Sequence, residues 1–521
     1  MKLYIKKYLV PLLFLILPQN LLIAADFSIR VLPSYNFISK KEFSSGPGIT
    51  GSLDLSVFTL RGTDNIFLSL SASWLPLKAK SIDSFNSFDV GMGLGYSCQI
   101  LDRLNLDAEV TGGIWTVNGN NGIKDTSGIL LGGRLEALYN IFPELSAGIF
   151  AGYQDFLDKD SFLKKIQAGL SFKYNFTKGL IKSSEIEMEE QNLDNVFPVF
   201  YSYYDDHEFG RIVFSNREKS SITDVEVKIY IEEYMSNPDV CCKFDKIERN
   251  ETFEVPLTAF LNETILLNLE ASVSDAKIDI SYKLLGKKIT SSHRVEIQTL
   301  NRNNMTWEDD RRAAAFISPK DGGARFFARH VKSAVLNSLK EGIPENIQYA
   351  QAMFGALKIY GINYVIDASS AFTSNFGTAS IDSLNFPYQT LLYHGGDCDD
   401  LTILNCALLE SLGIETALIT VPGHIFMAFD SGIPAEKASE SEYIIENGKA
   451  WLPVEITLCQ DKWSEAKRYG LREWKKYKED RKLYRLKDAW EVYKPVGIPD
   501  SNIALEVPAK KAIVDAFKAS F

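Results

Sequence analysis

A cysteine, a histidine and a carboxylate occur in an order that can support nucleophilic catalysis. Cys398 lies in the segment 395–401 (GGDCDDL), His424 follows a Pro-Gly turn, and Glu455 lies in the segment 451–455 (WLPVE). A thiol can attack a carbonyl carbon when an imidazole takes its proton and a carboxylate orients that imidazole. The sequence therefore predicts acyl transfer or amide hydrolysis with Cys398, His424 and Glu455 as catalytic residues.

Three secondary-structure elements must bring these residues together. Leucines at helical spacing predict a helix that begins at Cys398 and stops at Gly413. The β-branched segment 414–421 predicts a strand, His424 is expected to open the next strand, and Glu455 is expected on a third. Because the amide groups at a helix N-terminus favour a thiolate, we expect the pKa of Cys398 to be lowered.

Residues close to Cys398 in the sequence supply further candidates. The backbone N–H of Cys398 is an expected oxyanion donor, and Gln389 is a candidate side-chain donor for the same oxyanion hole. His394 is a second and weaker candidate for the base. Three carboxylates are expected to cap the helix or to accept hydrogen bonds, with a calcium site as the weaker alternative: Asp397, Asp399 and Asp400. The sequence predicts no metal and no organic cofactor.

The C-terminal part of the chain resembles the transglutaminase-like superfamily. The matching segments are 396–398 (GDC), 409–414 (LESLGI), 423–424 (GH) and 451–457 (WLPVEIT). The resemblance implies a papain-like α+β core with a Cys–His–Asp triad, and it leaves either water or an amine open as the acyl acceptor. Two positions depart from the family pattern. Glu455 stands where aspartate is usual, and Phe426 stands where tryptophan is commoner.

The N-terminal part of the chain alternates apolar and polar residues with a period of two. Such alternation predicts strands with one apolar and one polar face. An even number of these strands is typical of a transmembrane β-barrel, and the region resembles small eight-stranded outer-membrane barrels. The eight predicted strands are 27–37, 50–60, 65–75, 87–98, 104–115, 127–140, 144–154 and 165–176. The charged residues expected inside, as an ion-pair network, are Arg30, Asp54, Glu109, Arg134, Glu136, Lys165 and Lys173.

The alternation alone also allows a water-soluble barrel whose apolar face points inward. The membrane interpretation is favoured by a glycine-rich polar face, by the aromatic segment 174–176 and by a predicted signal peptide at 1–25. That peptide has lysines at its start and a short apolar run, although the same run also allows a permanent anchor. Both ends of an even-stranded barrel lie on one side of the membrane. The short turns of such barrels face the periplasm and the long loops face outward, so everything after residue 176 is expected in the periplasm.

The fold class predicted for the 521-residue chain is multidomain, with a β-barrel, a β-sandwich and an α+β unit. Short β-rich runs separated by turn signals predict the sandwich, and acidic residues around 185–190 predict a linker before it. The predicted organisation is a signal peptide (1–25), an eight-stranded transmembrane β-barrel (26–178), a linker (179–196), an immunoglobulin-like β-sandwich (197–300) and a transglutaminase-like domain with a C-terminal helical extension (301–521).

The composition of the chain limits the classes of partner that it can bind. A net charge of −11 without a domain-wide basic stripe argues against nucleic acid. Six cysteines in a chain of this length do not form a disulfide scaffold, and none has the spacing of a zinc site. The expected partners are a protein or peptide substrate, with cell-wall peptide as one example, and outer-membrane lipid. The alternative function is a catalytically inactive module that binds peptide or serves a structural role in the outer membrane.

Overall fold

The computed structural model describes most of the chain downstream of the predicted signal peptide. Residues 1–25 lie outside the described residues. The described residues are 27–39, 43–60, 64–79, 82–118, 126–157, 161–176, 185–365, 381–498, 501 and 504–521.

The N-terminal region is a closed antiparallel β-barrel. The eight barrel strands pair in the order β1-β3-β4-β5-β6-β7-β8-β9, and β9 pairs back with β1. The short β2 (Phe43–Ser44) pairs with β4 beside the first connection. All eight predicted strands are confirmed, several with longer ends. The strands are β1 (Phe27–Ile38), β3 (Gly46–Leu60), β4 (Asp64–Ala79), β5 (Ile82–Leu101), β6 (Leu104–Asn118), β7 (Thr126–Asn140), β8 (Leu145–Leu157) and β9 (Ser161–Asn175).

The apolar face of the barrel points outward. Val110 is 72% exposed, Met92 is 64% exposed and Leu53 is 56% exposed, whereas Arg30 and Lys165 in the interior are 0% and 2% exposed. Glycines make room inside, because a Cβ on Gly95 would collide with the ring of Phe67. The water-soluble alternative, in which the apolar face lines the interior, is therefore wrong.

The interior of the barrel is an ion-pair network, as predicted. Arg30 contacts three carboxylates at once, those of Asp54, Asp107 and Glu136. The other interior pairs are Arg134 with Glu109, Lys165 with Asp89 and Lys173 with Asp107. Toward the end of the barrel remote from the chain termini, an apolar cluster that includes Leu75, Trp115 and Phe156 fills the interior.

Two antiparallel sheets follow the barrel and share one core. One sheet has the order β10-β11-β14 and the other β13-β12-β15-β16. The predicted linker (179–196) needs a correction, since residues 186–193 form β10. Its acidic residues Glu187 and Glu189 pair with Arg217 at the end of the neighbouring strand instead of projecting from a coil. The strands are β10 (Ile186–Leu193), β11 (Gly210–Asn216), β12 (Ile222–Ile231), β13 (Asp239–Ile247), β14 (Thr252–Pro256), β15 (Ser272–Leu284) and β16 (Lys287–Thr299).

Helices and a five-stranded sheet form the C-terminal unit. The sheet order is β23-β24-β22-β21-β25. The helices are α1 (Gly322–Val335), α2 (Glu345–Tyr360), α3 (Pro387–Tyr393), α4 (Cys398–Glu410), α5 (Trp463–Lys476), α6 (Leu486–Ala489) and α7 (Lys510–Ala519). The strands are β17 (Asn304–Thr306), β18 (Asn363–Tyr364), β19 (Ile381–Ser383), β20 (Gly395–Gly396), β21 (Thr416–Val421), β22 (His424–Pro434), β23 (Ile444–Glu446), β24 (Lys449–Val454) and β25 (Lys482–Arg485). Short 3₁₀ helices lie at Pro198–Phe200, Glu263–Leu267, Asp310–Phe316, Leu336–Ser338, Ala435–Lys437 and Ile456–Leu458.

The predicted C-terminal helical extension also needs a correction. The segment after Cys459 contains α5, but it then returns to the central sheet as β25, which pairs with β21. β25 has only four residues and mixes basic with apolar side chains, so no period-two pattern marks it. In the part of the chain that the structure describes, no helix is long and apolar enough to cross a membrane.

The sandwich and the C-terminal unit are packed into one continuous core. Arg302, which is 3% exposed, donates to the carbonyl oxygen of Leu266 at 3.1 Å and to the hydroxyl of Tyr388 on α3 at 2.8 Å. The ring of Tyr493 stacks on that of Tyr203, with centroids 5.2 Å apart. A buried arginine that bonds to both sides fixes their relative position.

Candidate functional site

Cys398 is the first residue of α4. Asp397 precedes it in extended backbone as the N-cap, and the helix packs its apolar side against β22. Gly396 cannot be replaced without displacing a neighbour, because a Cβ there would lie 2.6 Å from an oxygen of Asp400. The sequence prediction that a helix begins at the cysteine is confirmed.

His424 and Glu455 contact each other directly. The tight turn before His424 is made by Gly423, which has a φ of +69°. His424 then opens β22, and its Nε2 lies 2.7 Å from Oε2 of Glu455. The other carboxylate oxygen of Glu455 accepts hydrogen bonds from the backbone N–H and the hydroxyl of Thr457, at 3.2 and 2.6 Å. Glu455 lies just beyond the end of β24 instead of within a strand, so its carboxylate is held by a local turn.

Cys398 approaches this pair through the first residues of β22. The backbone amide of Ile425, next to His424, lies close enough to the thiol of Cys398 to lower its pKa, although burial outweighs this effect. Because Nε2 of His424 is bound to Glu455, Nδ1 is the ring nitrogen left to exchange a proton with a thiol. The ring of His424 also stacks on Phe426, with centroids 5.7 Å apart, which restricts its rotation.

The ionisation of Cys398 differs from the sequence expectation. The side chain is 1% exposed, and this burial, together with the carboxylates of Asp399 and Asp397, raises the pKa of Cys398 well above its usual range. The expectation of a lowered pKa is therefore wrong. The helix N-terminus is present, but desolvation and two acidic neighbours outweigh it. A thiol whose pKa is raised in this way needs a base before it can react as a nucleophile.

The aspartates around Cys398 form a compact acidic cluster. One carboxylate oxygen from each of Asp397, Asp399 and Asp400 lies within 4.8 Å of the others, a spacing and ligand type that suit a hard cation. Burial and the hydrogen bond to Asp397 raise the pKa of Asp399 above its usual range. Burial and the charge of Asp397 also raise the pKa of Asp400 to about 7, against two hydrogen bonds from Asn385.

The two remaining sequence candidates have other bonding partners. The amide oxygen of Gln389 accepts from the backbone N–H of Phe386 at 2.9 Å and from Asn303 at 2.8 Å, so it closes the first turn of α3. His394 is exposed, bonds through Nδ1 to the carbonyl oxygen of Tyr360 at 3.0 Å and stacks on that ring. Among the described contacts of these two residues, none reaches Cys398. Their proposed roles stay predictions.

Tyr364 belongs to the site although the sequence analysis did not select it. It lies on β18, which pairs in parallel with β20 just before Cys398. Burial and then the neighbouring ionisable groups Cys398, Asp397, Glu455 and Asp399 raise the pKa of Tyr364. A two-residue strand carries no motif, so only the fold could reveal this proximity.

Comparisons with known proteins concern the barrel. No family model matches the chain, and no curated protein matches it. Neisserial surface protein A has a similar structure, with 10% identity, 29% of this chain and 97% of that chain covered, and a TM-score of 0.23. Ail of Yersinia pestis shares 15% identity over 29% of this chain and 97% of its own, with a TM-score of 0.22. The N-terminal β-barrel domain of Pseudomonas aeruginosa OprF shares 16% identity over the same fractions, with a TM-score of 0.20.

Proposed function

We propose that the C-terminal unit is a transglutaminase-like thiol enzyme that performs acyl transfer or amide hydrolysis. The observation that carries the proposal is the His424–Glu455 pair, 2.7 Å apart, at the start of the strand against which the helix of Cys398 packs. The three groups are a nucleophile, a base and an orienting carboxylate, which is the set that acyl transfer needs.

The chemistry follows from the ionisation of each group. Because the thiol of Cys398 is protonated, Nδ1 of His424 takes its proton as the sulfur attacks the carbonyl carbon. Glu455 holds the ring and stabilises the imidazolium that forms. The backbone N–H of Cys398 at the helix start is a donor to the oxyanion. His424 then returns the proton to the leaving amine, and water or a second amine resolves the thioester.

The barrel supports a location in the bacterial outer membrane. Its outward face is an apolar band, and aromatic side chains are exposed near both of its ends, a distribution typical of strands that cross a bilayer. The rings near the chain termini are Phe27, Tyr96, Tyr139, Tyr174 and Phe176, and those near the opposite end are Tyr35, Phe37, Trp74 and Phe88. The sandwich, which we assign as immunoglobulin-like, and the thiol unit then lie in the periplasm, where protein or cell-wall peptide is the expected substrate.

A second candidate function has one observation in its favour. The sulfur of Cys398 is almost fully buried and carries a raised pKa, as in a structural cysteine. A protein that had lost catalysis but kept the fold would bind peptide or connect the membrane with the periplasm. In that case a Cys398→Ala strain keeps a normal envelope, whereas deletion of the whole chain changes it.

Thiol alkylation of the full chain in lipid vesicles distinguishes the two functions. We expect iodoacetamide to label Cys398 before the buried Cys406, and His424→Asn to slow that labelling about 100-fold through loss of the base. His207→Asn is the matched control, since His207 is exposed and stacks on Tyr203 in the sandwich. Peptide mass spectrometry gives the rates. Labelling of Cys398 that ignores the loss of His424 would rule out the enzyme.

A further inference from the structure

Tyr364 lies in the site, but the mechanism above gives it no role. Its strand is fixed against the nucleophile segment by two backbone bonds. The N–H of Asn363 donates to the carbonyl of His394 at 3.0 Å, and the N–H of Val365 donates to the carbonyl of Gly396 at 2.9 Å. Tyr364 is therefore paired with a position two residues before Cys398.

The same strand is also fixed against the segment that follows Glu455. The thiol of Cys459 contacts the carbonyl oxygen of Ile362 at 3.4 Å, and the side-chain amide of Gln460 donates to that oxygen at 2.5 Å. β18 therefore runs between the residues that carry the nucleophile and those that carry the orienting carboxylate. Tyr364 therefore lies beside both the segment that carries Cys398 and the segment that follows Glu455.

The phenol of Tyr364 has the properties of a donor. The side chain is 40% exposed, so part of it faces open space. Its raised pKa, caused by burial and by Cys398, Asp397, Glu455 and Asp399, keeps the hydroxyl protonated at neutral pH.

We propose that the hydroxyl of Tyr364 donates a hydrogen bond to the carbonyl oxygen under attack, and completes the oxyanion hole with the backbone N–H of Cys398. The inference rests on the proposed function and adds a catalytic residue to it. A donor aimed at the developing negative charge stabilises the tetrahedral intermediate more than the ground state, so its loss lowers the rate of acylation.

Two thiol reagents separate this role from a structural one. With 4-nitrophenyl acetate, an S–C bond forms, the carbonyl π electrons move to oxygen and the thiol proton goes to His424. Collapse then breaks the C–O bond and releases 4-nitrophenolate. With iodoacetamide, the sulfur displaces iodide at a saturated carbon. Only the first reaction creates an oxyanion, so only it needs the hydroxyl of Tyr364.

The experiment compares Tyr364→Phe with the full wild-type chain and with Tyr393→Phe, an exposed tyrosine at the end of α3. We expect Tyr364→Phe to slow acylation of Cys398 about 100-fold, with iodoacetamide labelling within about two-fold of wild type. Tyr393→Phe should change neither rate. Equal acylation in Tyr364→Phe and wild type, or a parallel fall of both rates, would overturn the inference.

A failure of the proposed function gives a different result from a failure of the role inferred for Tyr364. If the wild-type chain shows no acylation that depends on His424, the enzyme itself is refuted, whatever Tyr364 does. If that acylation is present and only Tyr364→Phe behaves like wild type, the enzyme stands and the role of Tyr364 is refuted.

Discussion

The barrel interior and the thiol site both bury several charged groups, but they compensate them in opposite ways. In the barrel each buried lysine or arginine that pairs lies beside at least one carboxylate, and Arg30 alone contacts Asp54, Asp107 and Glu136. In the thiol site, no lysine or arginine among the described residues forms an ion pair with the buried carboxylates. These are Asp397, Asp399, Asp400 and Glu455, the last of which pairs with His424.

The difference separates paired charges that stabilise a fold from buried acids that perturb the ionisation of their neighbours. Paired charges inside a barrel satisfy each other and fix the packing of its strands. Buried acids without a base instead keep their protons or raise the pKa of a neighbour, as Asp397 does for Cys398. Perturbed groups of the second kind cluster at functional sites.

The largest effect is expected in the barrel. Arg30→Met would leave three carboxylates buried without their cation, which should cost about 3–5 kcal/mol in the free energy of unfolding. Urea unfolding of the full chain in vesicles measures it. Lys164→Met is the control, because Lys164 is half exposed and lies 3.8 Å from Asp155, so its loss should cost less than about 1 kcal/mol. Equal losses in the two variants would show that the interior pairs contribute no more than surface pairs.

A smaller effect is expected at the thiol. Asp397→Asn removes one of the carboxylates that raise the pKa of Cys398, so the thiolate fraction at pH 8 should rise. Each unit by which the pKa falls gives about a ten-fold faster alkylation, and we expect a rise of about 3- to 10-fold. Asp461→Asn, at an exposed position, should leave the rate unchanged. Slower alkylation of Asp397→Asn would mean that Asp397 assists the nucleophile instead of suppressing it.

The third effect concerns pH and stability. Burial raises the pKa of Glu410 to about 7, so the folded chain holds a proton that the unfolded chain releases near pH 4.5. Its contribution to stability is therefore present below pH 4.5 and is lost as the pH rises to about 7. The melting temperature of Glu410→Gln minus that of wild type should be a few degrees larger at pH 8 than at pH 5. A constant difference across this range, measured by calorimetry, would contradict the raised pKa.

The smallest effect is expected at His394. Its ring bonds to Tyr360, and its backbone has a φ of +57°, which glycine adopts without strain. His394→Gly should therefore keep the iodoacetamide labelling rate of Cys398 within about two-fold of wild type. A fall comparable to that of His424→Asn would make His394 the base, and the pair of His424 with Glu455 would then be structural.

The sequence was sufficient where a pattern is local. The eight barrel strands follow from alternation within each segment, and α4 follows from its leucines. It was insufficient where a partner lies far along the chain. β10 looked like a charged coil because Arg217, which pairs with its acids, is about 30 residues away. The raised pKa of Cys398 depends on burial by β22, which no residue next to the cysteine reveals.

Contacts between the barrel and the two sheets that follow it fix the distance between the barrel and the thiol. Gln99, near the end of β5, and Asp102, in the turn after it, bond to the backbone of Lys219 and Ser221, and Lys287 pairs with Glu144 at another turn. Beyond them the core is continuous as far as α4. If the barrel spans the outer membrane as proposed, the thiol lies at one set distance from the bilayer, and a substrate held in another layer of the envelope is excluded by distance alone.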